Sequence, residues 1–488
     1  MHRFITRVCA AAAAGAVLST MGVAGASASA RAFRASQAVR ASSWGMPHAP
    51  AGSGAQLWVK RYNGPGNSNE IAHSVAVSPS GSTVFVAGQS HGNSSGDDYE
   101  TIAYNATTGA QVWAKRYTGA GDNSDVAYSV AVSPSGKTVF VTGESFSANS
   151  NYDYATVAYN AATGTQLWVK RYNGPGNYVD QAFSMAVTSS AVFVTGYSTG
   201  AFSPDYATVA YNATTGAQLW VKRYSGPDYN TDQGNSVAAS LDGTKVFVTG
   251  YSHGTNTYND YVTVAYNATT GAQLWAKRYS GPGANWDVAN SVAVSPNGSA
   301  VFVTGYSHSD TTFNDYATVA YDAATGARLW VKRYTGPGYN DDQALSAAVS
   351  PTSKTVFVTG FSTGPNSSED YATIAYNAAT GAQMWVKRYN GPFNNIDVAT
   401  SITVSPTGSK VYVTGSSYGV DTGQDYATVA YNAATGGQAW AKRYNGAANG
   451  YDQAYSVAVS PSGSTVFVTG SSDSSHSGKD YATVAYRG

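Results

Sequence analysis

Two series of carboxylates and one of paired cations are the first residues in this sequence that could do chemistry. Glu70, Asp125, Asp180, Asp232, Asp287, Asp342, Asp397 and Asp452 form one acidic series; Asp98, Asp153, Asp205, Asp260, Asp315, Asp370, Asp425 and Asp480 form the other. Eight Lys-Arg pairs, from Lys60-Arg61 to Lys442-Arg443, recur at matching intervals. Such carboxylates could line a cation site. They could equally be paired internally, with loop amides, with Ser74, Ser129 and their copies, or with a neighbouring arginine. Ca2+ wants six to eight oxygens, and no D-x-D-x-D-G loop occurs. Catalysis needs one asymmetric constellation, whereas near-identical repetition multiplies every candidate eightfold and singles out none.

Aromatic residues fall one to four positions before the first acidic series, at Tyr178, Tyr229, Trp286, Tyr339, Phe393 and Tyr451. Phe146, Tyr152, Phe202, Tyr258, Phe313 and Tyr418 precede or open the second series in a similar way. Exposed, these rings could stack on sugars or peptide side chains; otherwise they pack loop against loop. His91, His253, His308 and His476 belong to well-separated copies of the loop before the second series, and His73 to a strand. That spacing reads as solvated loop histidines rather than a convergent metal site.

The elements that position these residues come from a repeat. Trp58, Trp113, Trp168, Trp220, Trp275, Trp330, Trp385 and Trp440 each sit in a W-[VA]-K-R-Y string, at intervals of 55 residues with one of 52. Each unit holds four short runs with period-2 alternation, separated by Gly, Pro, Asn and Ser. In the second unit these are Gln111–Tyr117, Ala127–Ser133, Thr138–Gly143 and Tyr154–Tyr159. Four strands per repeat, with no helical pattern, predict an all-β, eight-bladed β-propeller of four antiparallel strands per blade.

Side-chain size orders the strands. The small S-V-A-V-S run suits the crowded axis as strand A, V-F-V-T-G follows as B and D-Y-A-T-V-A-Y as C. The bulky Q-L-W-V-K-R-Y is the outer strand D, where Lys and Arg reach water along their stems. The propeller then begins with a D strand, Gln56–Tyr62, and closes with a C strand, Asp480–Tyr486. The N-terminal strand is expected to complete the last blade and leave no open sheet edge. The A-B and C-D turns share one end of the ring. The longer and more varied D-A and B-C loops share the other, where the six aromatics of the D-A loops should form an arc around the channel mouth with the carboxylates close behind.

The run Ala103-Tyr104-Asn105-Ala106-Thr107-Thr108-Gly109-Ala110-Gln111-Val112-Trp113 resembles the A-x-D-x-x-T-G-x-x-x-W docking motif of pyrroloquinoline-quinone (PQQ)-like propeller repeats. It recurs through the copy ending at Trp440, with Asn for Asp except at Asp322. The resemblance implies a structural motif at the C-D turn, where Asn suits a tight turn as well as Asp. It also implies, for one branch of the family, a quinone-dependent alcohol or sugar dehydrogenase with PQQ and Ca2+. Many of those have adjacent cysteines beside the cofactor, and this chain has one cysteine, Cys9. No cofactor or metal ligand is therefore carried over to any residue.

Arg3 and Arg7 precede an Ala-rich apolar run that ends Ala28-Ser29-Ala30, which reads as a secretory signal peptide over 1–30. Residues 31–54, rich in Ala, Ser, Gly and Pro, read as a flexible linker, and 55–488 as the propeller. Cys9 falls in the leader, so the exported protein has no disulfide and no thiol nucleophile. With five arginines ahead of Ala55, the propeller holds 23 basic and 28 acidic residues, a balance that argues against nucleic acid. No other apolar run is long enough to span a membrane. The expectation is a secreted or cell-surface monomer, bacterial in style, acting without catalysis as a binding module or scaffold for an extracellular glycan or protein.

Overall fold

The structure is a computed structural model that describes residues 52–120, 123–200, 203–228, 230–283 and 285–488. The leader, most of the linker, Phe202 and Tyr229 lie outside the described residues.

Among the described residues thirty-two strands form eight four-stranded antiparallel sheets. The first blade is Ile71–Val77, Thr83–His91, Asp97–Asn105 and Gln111–Tyr117, hydrogen-bonded in that order as strands A to D. The eighth comprises Gln453–Val459, Thr465–Ser474 and Gly478–Arg487, with Gln56–Tyr62 as its fourth strand. Trp58 pairs with Ala485 and Tyr62 with Tyr481, which gives the expected closure. Gly54 N donates to Arg487 O at 2.8 Å, rebuilding across the chain ends the turn that Gly109 N makes with Asn105 O in the first blade.

Each blade buries its aromatic residues against the next. The strand C tyrosine donates its hydroxyl to a carbonyl of the following blade: Tyr99 to Ala155 at 3.1 Å, and so on round to Tyr481, which reaches Glu100 at 3.3 Å. Most buried hydroxyls in folded proteins have such a partner. Each strand D tryptophan lies over the turn glycine of the next blade. A Cβ on Gly109, at φ 68°, would sit 2.7 Å from the ring of Trp58, so only glycine fits. Trp58 Nε1 then donates to Ala106 O at 3.1 Å, and copies of this bond run through Trp385. At Trp440 the covering glycine is Gly54, across the closure.

Strand A is the inner edge and lacks a sheet neighbour on its axial side, so its amides need other acceptors. The strand A serines supply them. Ser74 Oγ accepts from Val130 N at 3.2 Å and Ser456 Oγ from Val75 N at 3.3 Å, and the same bond forms at four further junctions. The ring of serines therefore joins blade to blade and does not serve the repeated carboxylates, as one of the sequence alternatives had it. The B-C hairpins are also longer than the alternating pattern suggests, reaching Ser147 and beginning again at Asn151 in the second blade.

Candidate functional site

Both acidic series are absorbed into structural knots at the D-A and B-C end of the ring. Asp125 accepts from Gly119 N at 2.5 Å and Phe146 N at 2.9 Å, closing the D-A loop onto the B-C loop. Asp180, Asp342, Asp397 and Asp452 do the same through Gly174, Gly336, Gly391 and Gly446 and an amide of the B-C loop, while Asp232 and Asp287 accept from Gly226 and Gly281 and leave Oδ1 unpartnered. Burial raises these carboxyls against the bonds that lower them, taking Asp287 and Asp342 up to about 6. The second series pairs with the arginine of its own blade: Asp98 with Arg116 and Asp205 with Arg223 at 2.7 Å, Asp153 with Arg171 and Asp480 with Arg61 at 2.9 Å. Each guanidinium also binds a strand B serine, as Arg116 Nη2 binds Ser90 Oγ at 2.7 Å.

Five of those serines, Ser90, Ser198, Ser252, Ser362 and Ser417, belong to G-x-S-x-G strings such as Gly88–Gly92 and Gly196–Gly200. They lie at the end of a strand followed by a hairpin, not on the strand-to-helix elbow that exposes a nucleophile.

The first blade departs from the pattern. Glu70, one methylene longer than its Asp counterparts, is fully buried without a well-formed hydrogen bond at either carboxylate oxygen. Burial raises it to about 8, with Asp480 adding to the shift. Glu100 stands where other blades have Ala155, Ala207 or Val262. Burial raises it to about 7 although Arg116 lies 3.4 Å away.

A second asymmetry encircles the axis. Strand A carries a bulge between Ala72 and Ser74 and at each equivalent position, so one extra residue per blade projects at the mouth end of the serine ring. Four successive blades place Tyr455, His73, Tyr128 and Phe183 there, with ring centroids 5.5 to 5.9 Å apart. Burial lowers His73 to about 4, which keeps it neutral. The other four blades place Asn235, Asn290, Leu345 and Thr400. Asn290 donates to Ala344 O at 2.8 Å and leaves its Oδ1 unpartnered beside the central cavity. That cavity encloses about 310 Å3 and is lined by the strand A serines and their apolar neighbours. Sequence reasoning missed this layer; the changing residue before each strand A serine was the signal.

Of the six D-A aromatics, Tyr178 is 59% exposed, Trp286 48%, Tyr339 71%, Phe393 53% and Tyr451 51%; Tyr229 lies outside the described residues. In the B-C loops Tyr258 and Phe313 are exposed, whereas Phe146 packs edge-on against Tyr152. Tyr258 also stacks on Trp286 at 6.1 Å, so some rings both pack and face water. Among the described residues, every exposed aromatic lies in these two loop sets.

Charge is divided between the two ends. Outside the repeated series, the D-A and B-C end carries Asp97, Asp310, Glu369, Asp421 and Asp473 in B-C segments, Asp228 and Asp341 in D-A loops, and Glu144 near the end of a strand B. Lys479 is its one lysine outside the Lys-Arg pairs among the described residues. The opposite end carries Lys137, Lys245, Lys354, Lys410, Arg328 and Arg487 against Asp242 and Asp322.

Residues 48–311 and 314–483 match the family described as outer membrane protein assembly factor BamB. The chain belongs to this PQQ-like propeller family. Among solved structures, Sqt1 of Chaetomium thermophilum bound to the N-terminus of the ribosomal protein L10 is similar at TM-score 0.58 and 12% identity, covering 88% of this chain and 98% of that one. The quinohemoprotein alcohol dehydrogenase of Comamonas testosteroni is similar at 0.53 and 13%, over 88% and 76%. BamB of Moraxella catarrhalis is similar at 0.49 and 15%, over 89% and 99%. A comparison with curated protein sequences finds no match. At these identities the structures share the fold alone.

Among the described residues no three His, Cys, Asp or Glu side chains converge as metal donors. The strand D arginines are each held by an aspartate of their own blade. Among the described residues no helix is long and apolar enough to cross a membrane.

Proposed function

We propose that this protein is a secreted, non-catalytic binding module that takes an extracellular protein or glycan on the face formed by the D-A and B-C loops. The observation that carries this reading is the gathering of the exposed aromatic rings on that face. Truncating such rings commonly costs about 2 kcal/mol where they anchor a partner. The repeated carboxylates and arginines are consumed in holding the loops, which leaves the variable residues between them to recognise a ligand. Sqt1, seen with a polypeptide terminus bound, supports a protein ligand for this architecture. Export through residues 1–30 is part of the same reading.

The test is capture of native cell-envelope proteins and glycans by the mature protein, against a Trp286→Ala, Tyr339→Ala, Phe393→Ala variant with unchanged melting temperature. Loss of capture in the variant is expected. Equal capture by both proteins would remove this face from consideration.

A further inference from the structure

The sharpest departures from the eightfold pattern on this face meet at the junction of the fifth blade, Asp287–Tyr334, and the sixth, Asp342–Tyr389. Tyr339 occupies a left-handed turn position at φ 50°, which corresponding D-A loops fill with Asn67, Asn177, Asn394 and Asn449 at φ 48 to 52°. Asn tolerates this conformation; a bulky aromatic residue rarely adopts it. In the third blade's entry loop, Asn177 uses its amide to tie down the adjoining B-C loop through Asn149 O at 3.0 Å. Tyr339 cannot make that bond, and its ring is the most exposed aromatic in the described chain. Phe313 repeats the pattern on the adjoining hairpin. It sits at φ 58°, where equivalent ten-residue strands begin with Asn151 at 64° and Gly478 at 71°, and it is 59% exposed.

Carboxylates accompany these rings. Asp310 lies three residues before Phe313 and Asp341 two after Tyr339. Glu369 opens strand C of the sixth blade. Asp341 is fixed by neutral donors: Asn314 Nδ2 at 2.7 Å and Gln343 Nε2 at 3.2 Å. Such donors orient its charge without neutralising it. The arginines of these two blades are held by Asp315 and Asp370 at 2.7 Å. Gln343, 3% exposed, leaves Oε1 unpartnered beside Asp341, a buried acceptor that lacks a donor. Two presented aromatic faces, uncompensated carboxylates and an unused acceptor all favour a donor-rich cation.

Resting on the reading of this face as a binding surface, we propose that the junction of the fifth and sixth blades receives the lysine or arginine side chains of a basic polypeptide. Phe313 and Tyr339 cover the aliphatic stem and the cationic head, while Asp341 and Glu369 take up the head's hydrogen bonds. The uneven distribution of charge between the two ends steers such a segment to this face rather than the other.

The probe is an uncharged-ended Gly-Arg octapeptide, titrated by calorimetry or fluorescence anisotropy at low and at physiological salt, with a Gly-Glu octapeptide as its opposite. Saturable binding of the basic peptide, weakening with salt, is expected, with none of the acidic one. Phe313→Asn with Tyr339→Asn gives this junction the residue that other blades use at those backbone positions, so the variant folds at least as well. It should nonetheless lose about tenfold in affinity, as should Asp341→Asn with Glu369→Gln. Asp242→Asn with Asp322→Asn makes the same charge change at the opposite end and should stay within about twofold.

Absence of saturable binding by the wild type, or equal weakening in the opposite-end variant, overturns the proposal. If the basic peptide fails while capture of envelope material still depends on Trp286, Tyr339 and Phe393, the binding face stands and its cationic partner falls. Failure of both assays refutes both readings.

Discussion

Replacing Glu100 by Ala, the residue at that position in most other blades, should stabilise the protein in alkaline solution and leave it almost unchanged in acid. Glu100 is 2% exposed, and burial raises its carboxyl from 4.5 to about 7 despite the favourable field of Arg116. A carboxyl whose folded value lies above its unfolded one contributes stability that is fully present below pH 4.5 and lost as pH rises through about 7. By pH 8.5 the ionised group has cost the fold about 3 kcal/mol. With roughly 2 cal/mol/K of unfolding entropy per residue, that is a melting shift of about 3 °C in a propeller of this size. The assay is calorimetric melting of both proteins across pH 4.5 to 8.5. The Glu100→Ala curve should run close to wild type at the acid end and about 3 °C above it at the alkaline end. Glu70→Asp should act in the same direction, because the shorter carboxylate can accept from Gly64 N as its counterparts do from theirs. A pH-independent difference, or a variant less stable than wild type at pH 8.5, would refute the reasoning that these two acids are buried at a cost.

Two further outcomes follow from the closure and from the donor set. Deleting residues 52–62 removes Trp58 and leaves Asp480 without Arg61; loss of the buried ring alone costs about 3 to 5 kcal/mol, so the truncated protein should melt well below the full chain, and an equal melting temperature would contradict the role of that strand. Protein mixed with PQQ and Ca2+ should pass through desalting without retaining the quinone and should not reduce a dye with alcohols or aldoses; retention at one quinone per chain would overturn the expectation that no residue here serves the cofactor.

The architecture was legible in the sequence because each level of it repeats. The eight Trp-centred strings gave the blade count, side-chain size gave the strand order, and the surplus D strand at Gln56–Tyr62 gave the closure. The carboxylate network was legible only in part. The serines that bind the arginines are those of strand B, such as Ser90 and Ser145, whereas those of strand A cap the next blade's amides. Period-2 alternation assigns a side chain to a face of its sheet but not to a partner, and the bulge between Ala72 and Ser74 breaks the alternation where it mattered. The aromatic layer of Tyr455, His73, Tyr128 and Phe183 was hidden for the same reason. Residues inside strand A read as core, and only the closed ring brings four successive copies side by side.

In a repeat this regular the eight copies measure one another, and the informative residues are those whose backbone position suits a different side chain. Asn at the left-handed turn costs little, as Asn67, Asn177, Asn394 and Asn449 do; a tyrosine or phenylalanine there typically costs of order 1 kcal/mol or more. Packing does not return that cost, because Tyr339 is 71% and Phe313 59% exposed. Glu100 is different: it is buried where the ring closes, its penalty depends on pH, and it is tied to Arg116 within the fold. The first kind of departure places apolar surface in water at a backbone cost, as a docking site requires before its partner arrives. The second alters only the cohesion of the ring. Reverting Tyr339 and Phe313 to Asn should therefore raise stability and lose binding, whereas reverting Glu100 to Ala should raise alkaline stability and leave binding as it was.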